Sequence, residues 1–204
     1  MSKATVNWRV YELVNKGILE RIGRGKFKIG KELLFEPEIS LKIKKINRLL
    51  KNNLPFINYC LWNSNIINEF SLHINKMNYT IIDTEKEVAK SVLFLLKENY
   101  KHVFYKANKE MYYDYFPEIQ NVIIIRDLIT EAPVKTVKKI PTVTIEKLLV
   151  DLYSDIVFEY LQGNELSFIF ENAFNKYTVN ESKLLRYASR KGKKTKILKL
   201  INNL

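Results

Sequence analysis

Residues that build disulfides, metal centres and tight turns are scarce in this 204-residue chain, which has one cysteine, two histidines, five prolines and six glycines. The lone Cys60 excludes an intramolecular disulfide. His73 and His102 stand apart, without the spacing of a metal site. There is neither a Walker loop nor a dinucleotide-binding glycine fingerprint, so no metal or cofactor is expected. No apolar run approaches the roughly 18 residues that suggest a membrane span. The stretch from Met1 to Arg9 lacks the apolar segment and small-residue cleavage site of a signal peptide. These gaps lead us to expect a cytoplasmic protein with no membrane partner. Internal repeats and Gly/Ser- or Pro-rich linkers are missing as well.

What the chain has is apolar mass and positive charge. Hydrophobic residues make up 47% and aromatics 12%, enough for a packed core and too much for global disorder. The net charge is +12 and unevenly spread. Residues 1–53 carry 13 Lys/Arg against 5 Asp/Glu, residues 54–130 carry 8 against 9, and residues 131–204 carry 13 against 8. Excess charge at both ends of a neutral middle points to a polyanion partner. A Lys- and Asn-rich composition inherited from an AT-rich genome is the plainer alternative.

The patterning divides the chain into residues 1–35, a connecting amphipathic helix at 36–53 and a domain at 54–204. In the connecting helix Ser40 serves as N-cap, with Leu41, Ile43, Ile46, Leu49 and Leu50 on the apolar side and Lys42, Lys44, Lys45 and Arg48 between them. Strands are expected at Ile57–Trp62, Tyr79–Asp83, Val103–Tyr105 and Asn121–Arg126, alternating with helices at Ser64–His73, Thr84–Lys97 and Lys109–Phe116. Val122–Ile125 reads as a central strand buried on both faces. Thr84 is the expected N-cap, with Glu85 and Glu87 in the first turn. The last third reads as helices: one from Thr144 ending at Gly163, one over Glu165–Asn175, and one starting near Asn180. The expected fold class is α+β, a partial winged helix-turn-helix followed by a mixed α/β domain with a helical C-terminal part.

The N-terminus carries the sharpest functional signal. On a wheel of 100° per residue, Val6, Val10, Leu13, Val14 and Gly17 share one face. Thr5, Trp8, Tyr11, Glu12 and Asn15 share the other, flanked by Arg9 and Lys16. Ser2 is a suitable N-cap and Gly17 a suitable stop. Residues 18–29 then form a hairpin turned at Gly23-Arg24-Gly25, with Phe27 and Ile29 facing the helix and Lys26 and Lys28 pointing outward. An amphipathic helix followed directly by a basic hairpin is the reading half of a winged helix, its helix entering the major groove. Lys3, Thr5, Asn7, Trp8 and Arg9 are the candidates on the helix, and Arg21, Arg24, Lys26 and Lys28 those on the wing. The alternative is a helix-hairpin that only packs on the rest of the protein.

Elsewhere the readings are plainer. Cys60 reads as a small core residue on a strand, and Trp62 as a core residue, with a stacking platform as the alternative. Asp151 and Asp155, one turn apart near Glu146, read as a solvated face, with pairing to Lys147 or binding of a partner as the alternatives. Residues 183–199 hold eight Lys/Arg and no acid. Arg186, Arg190, Lys191, Lys193, Lys194 and Lys196 there form either a second phosphate-binding surface or a disordered solvated tail. A restriction-endonuclease-like nuclease is the enzyme alternative, with Asp83, Glu85, Glu87 and Asp127 at strand ends. It lacks a Glu-x-Lys on a strand, since Glu181-Ser182-Lys183 falls at a helix start, so no catalytic residue is assigned. A purely structural partner-binding protein is the third reading.

Thr5-Val6-Asn7-Trp8-Arg9-Val10-Tyr11-Glu12-Leu13-Val14 and the following Gly17-to-Phe27 segment resemble the start of AbiEi-type antitoxins of type IV toxin–antitoxin (abortive infection) systems. The similarity continues through Cys60-Leu61-Trp62-Asn63, Leu72-His73, Thr142–Leu152, Phe174–Glu181 and Leu185-Arg186-Tyr187-Ala188, and so spans nearly the whole chain. It implies a winged helix that binds inverted repeats in its own promoter and represses the operon. It also implies a C-terminal domain that opposes a nucleotidyltransferase toxin without a tight complex. In that family two further helices normally precede the recognition helix, whereas here the helix starts almost at Met1. Either the chain begins late or another element supplies that support, because an isolated helix and hairpin bury little apolar surface.

Overall fold

Apolar residues at helical spacing and a glycine stop produce the first element, helix α1 (Lys3–Asn15). The computed structural model describes residues 3–31 and 33–204, so the expected N-cap Ser2 lies outside the described residues. Gly17, with φ of 72°, lets its own amide donate to the Val14 carbonyl at 3.1 Å while Ile18 donates to Leu13 at 3.0 Å. That bond pair is a Schellman stop. Strands β1 (Leu19–Gly23) and β2 (Lys26–Ile29) follow at once as an antiparallel hairpin turned through Gly25 at φ 69°.

Helix α2 (Leu41–Asn53) begins where Ser40 Oγ accepts the Ile43 amide, and it buries Ile43, Ile46 and Leu50. Strands β3 (Tyr59–Asn63) and β4 (Thr80–Thr84), helix α3 (Ala89–Lys97), and strands β5 (Val103–Tyr105) and β6 (Ile123–Asp127) come next. The four strands form one sheet in the order β3-β4-β6-β5. Strands β4, β6 and β5 are parallel, and β3 is antiparallel at the edge. Val122–Ile125 is fully buried, as a central strand requires. One face of the sheet packs Leu61, Ile82, Ile123 and Ile125 with Ile43, Ile46, Val92 and Leu96 of the two helices. Cys60 and Trp62 are core residues on β3.

Three expectations for the connections need correction. Residues 64–69 make a short 3-10 turn where a longer helix is expected, and the helix expected at Lys109–Phe116 forms as a π turn running into a second 3-10 turn over 111–118. Thr84 ends β4 instead of capping a helix; its hydroxyl donates to the Asn58 carbonyl, and α3 starts only at Ala89. A hairpin of β7 (Val134–Val137) and β8 (Ile140–Val143) was missed. Its turn is made by Lys138 and Lys139, both at positive φ (49° and 66°), where a sequence signal would show Gly or Asn.

Helices α4 (Ile145–Ser154), α5 (Asn164–Lys176), α6 (Glu181–Arg190) and α7 (Lys194–Asn202) complete the chain. Gly163 caps the start of α5, and Asn180 caps α6 by accepting the Lys183 amide at 2.9 Å. The expected solvated face of α4 is buried instead. Asp151 and Lys147 are 0% and 1% exposed and form an ion pair, which the Tyr187 hydroxyl joins by donating to Asp151 at 2.9 Å. The 183–199 stretch is not a disordered tail either, because α6 and most of α7 are built from it.

The contacts divide the chain into two units, one containing Met1–Glu36 with Ile145–Leu204 and the other Pro37–Thr144. This differs from the expected split at 36 and 54. Helix α2 is no connector, since its apolar side lies in the sheet core. The C-terminal helices group with the N-terminal module, because α6 packs on β1. The architecture is of the expected α+β class, with a helical C-terminal part.

Candidate nucleic-acid interface

Helix α1 lies on the surface for most of its length. Val10, Leu13 and Val14 on its apolar side are half-buried, but Val6 is exposed. On the opposite side Thr5, Asn7, Trp8, Arg9 and Tyr11 are all exposed, Trp8 at 58% and Tyr11 at 65%. The side chain of Lys3 lies outside the described residues.

The module is held from the C-terminal half of its own unit. Thr178, between α5 and α6, donates its hydroxyl hydrogen to the Gly17 carbonyl (3.1 Å) and accepts the Lys31 amide (2.8 Å). Its own amide donates to the Leu33 carbonyl at 3.0 Å. Gly30 passes close beneath Gly17, and a Cβ there would stand 2.0 Å from the Gly17 carbonyl oxygen. Phe35 adds an edge contact to the Tyr177 ring at 5.4 Å. Thr178 and α6 therefore hold the module within its unit.

The hairpin presents the opposite face from the one expected. Lys28 does not point free into solvent; its ammonium lies 3.3 Å from Glu20 and 3.4 Å from Glu181 of α6. Ile29, expected against the helix, is 82% exposed, and Phe27 is exposed too. Glu20, opposite Lys28 in the hairpin, is buried, and Lys28 supplies the cation that a buried carboxylate needs. Burial raises the Glu20 carboxyl above its usual range, and the Lys28 ammonium pulls it back. Lys28 thus leaves the set of candidate phosphate contacts. Arg9, Arg24 and Lys26 are exposed and form no ion pair among the described residues, and Arg21 is also exposed.

The second basic stretch is thinned in the same way. Lys191 is committed to Asp155 (2.8 Å) and Asp151 (3.3 Å), and Lys183 stands 3.6 Å from Glu146. Arg186, Arg190, Lys194 and Lys196 remain exposed, with Lys193 half-buried.

The strand-end carboxylates do not assemble into a metal site. Asp83 faces Arg126 across the sheet, and its Oδ1 accepts the Arg126 Nε at 2.7 Å. Asp127 is opposite Thr84 in the same register, so period-2 alternation places it on the other face from Asp83. It accepts the Tyr105 hydroxyl at 2.7 Å and pairs with Lys106 at 3.0 Å. Glu85 is occupied by the Asn58 amides, which lower its pKa. No cluster of three metal-binding side chains occurs among the described residues, and no helix there is long and apolar enough to cross a membrane.

Over residues 5–204 the chain belongs to a family of unknown function, DUF6577. Neither a curated protein nor a solved structure matches it.

Proposed function

We propose that the helix-hairpin module binds double-stranded DNA. On the resemblance to AbiEi-type antitoxins, the protein would be a cytoplasmic, non-enzymatic autorepressor and antitoxin opposing a nucleotidyltransferase toxin. The observation that carries the DNA reading is the exposed face of α1, with Thr5, Asn7, Trp8 and Arg9, continued by Arg24 and Lys26 of the hairpin. A helix end free of carboxylates, next to a basic hairpin, suits a major groove flanked by phosphates.

Fluorescence anisotropy with the protein's own promoter fragment and a scrambled duplex, at two salt concentrations, tests this. The promoter is expected to bind more tightly. Arg24→Ala and Lys26→Ala should weaken both duplexes equally, each lowering the salt slope by about one. Asn7→Ala or Arg9→Ala should erase part of the preference, about 1–3 kcal/mol per base-reading contact. Salt-sensitive binding without preference would leave only a basic surface. Growth rescue in cells expressing the neighbouring nucleotidyltransferase tests the antitoxin role, and failure to rescue removes it.

A further inference from the structure

Within the unit Pro37–Thr144, a cleft of about 580 Å³ opens at the amino-terminal edge of strands β5 and β6. Lys42 and Lys45 enter it from the start of α2, Tyr100, Lys101 and His102 from the loop after α3, and Asn121 from the turn before β6. No carboxylate among the described residues lines it. Lys45 and Lys101 form no ion pair among the described residues. Lys42 is half-buried, and among the described residues its ammonium donates to the Asn121 backbone carbonyl (3.3 Å) and side-chain oxygen (3.5 Å), both neutral. Burial lowers the Lys42 pKa.

Lys42, Lys45 and Lys101 place three cationic side chains around one concavity. Lys42 also stands in the first turn of α2, at the positive end of its dipole, where a cation is disfavoured. Nothing among the lining residues offsets this, whereas a multivalent anion would. Lysine serves phosphate as a point charge, and the volume lies in the range of small-molecule sites. Tyr100 adds an aromatic wall and a hydroxyl that can donate a hydrogen bond. At the opposite edge of the sheet, the Asp83–Arg126 and Asp127–Lys106 pairs neutralise one another.

We propose that this cleft binds a phosphate-bearing anion of nucleotide size. The phosphate can come from a free nucleotide or from the phosphorylated end of a nucleic acid, and the site is independent of the DNA reading of α1 and its hairpin.

Isothermal titration of the full chain with ATP, pyrophosphate and adenosine tests it, beside a short oligonucleotide with and without a 5′-phosphate. Saturable binding of the phosphorylated probes and none of adenosine is expected. Lys101→Gln touches no internal partner and should melt like the wild type while losing at least tenfold in affinity. Lys42→Gln/Lys101→Gln should lose more, and Lys86→Gln should change nothing. Tighter binding of ATP assigns the free nucleotide, and tighter binding of the 5′-phosphorylated oligonucleotide assigns the nucleic-acid end; either supports the site. No saturable binding, equal binding of adenosine and ATP, or unchanged affinity in Lys101→Gln would overturn it.

Discussion

Thr178 and Gly30 illustrate how single residues decide whether the N-terminal module stays in place. Thr178→Val keeps the side-chain shape but strands the Gly17 carbonyl and the Lys31 amide, costing about 1–3 kcal/mol. Gly30→Ala would drive a Cβ into backbone that cannot rotate away, at a cost of about 2 kcal/mol or more. Both should speed hydrogen exchange at Ile18, Gly30 and Lys31 before any change in the sheet unit; unchanged exchange in either variant would refute the stitch. Glu20 offers a titration. Its folded-state pKa is raised, so its own contribution to stability is full below its ordinary 4.5 and is lost as pH rises through the elevated midpoint. Lys28→Met removes the nearest opposing cation and should move that midpoint higher, followed by carboxyl NMR; a downward move would contradict the pairing. None of this was legible in the sequence, where Lys28 looked like a wing lysine. Its partner Glu181 lies 153 residues away.

At the scale of elements, α4 and α6 are joined through charge buried inside apolar packing. Lys147, Asp151 and Tyr187 are all 1% exposed or less, and Lys191 closes the cluster from the end of α6. Asp151→Ala would leave the Lys147 ammonium without its carboxylate, a loss of about 3–5 kcal/mol. Replacing the pair together, Lys147→Met with Asp151→Leu, should cost clearly less, because an apolar pair carries no desolvation penalty. Urea denaturation of the two variants checks the order, and equal losses would argue against a buried pair. Helical spacing correctly placed Lys147 and Asp151 one turn apart, but it could not say that α6 covers that face. The same limit applies to β7 and β8, whose two-lysine turn carries no glycine signal.

For the molecule as a whole, the two units differ in how they are strung on the chain. Residues 37–144 are continuous and hold their own core around Ile46, Ile82 and Ile125. Expressed alone they should give a dispersed amide spectrum and a cooperative melt. Residues 1–36 alone should remain unfolded, because α1 has no fully buried side chain among the described residues and Thr178 is missing. Circular dichroism of the two fragments decides this, and a folded 1–36 would show that the module needs no support.

The sequence by itself determined what depends on near neighbours: the period of α1, its glycine stop and hairpin, the four sheet strands, and the basic ends. Those follow from side-chain periodicity and backbone preference, which act over a few residues. Only the tertiary structure decided which charges stay available. Lys28, Lys183 and Lys191 meet carboxylates on other elements, Asp83 and Asp127 part to opposite faces of one sheet, and Lys42, Lys45 and Lys101 converge from separate segments. A charge is spent or free according to what lies within a few ångströms, and that distance is set by packing between segments far apart in the chain.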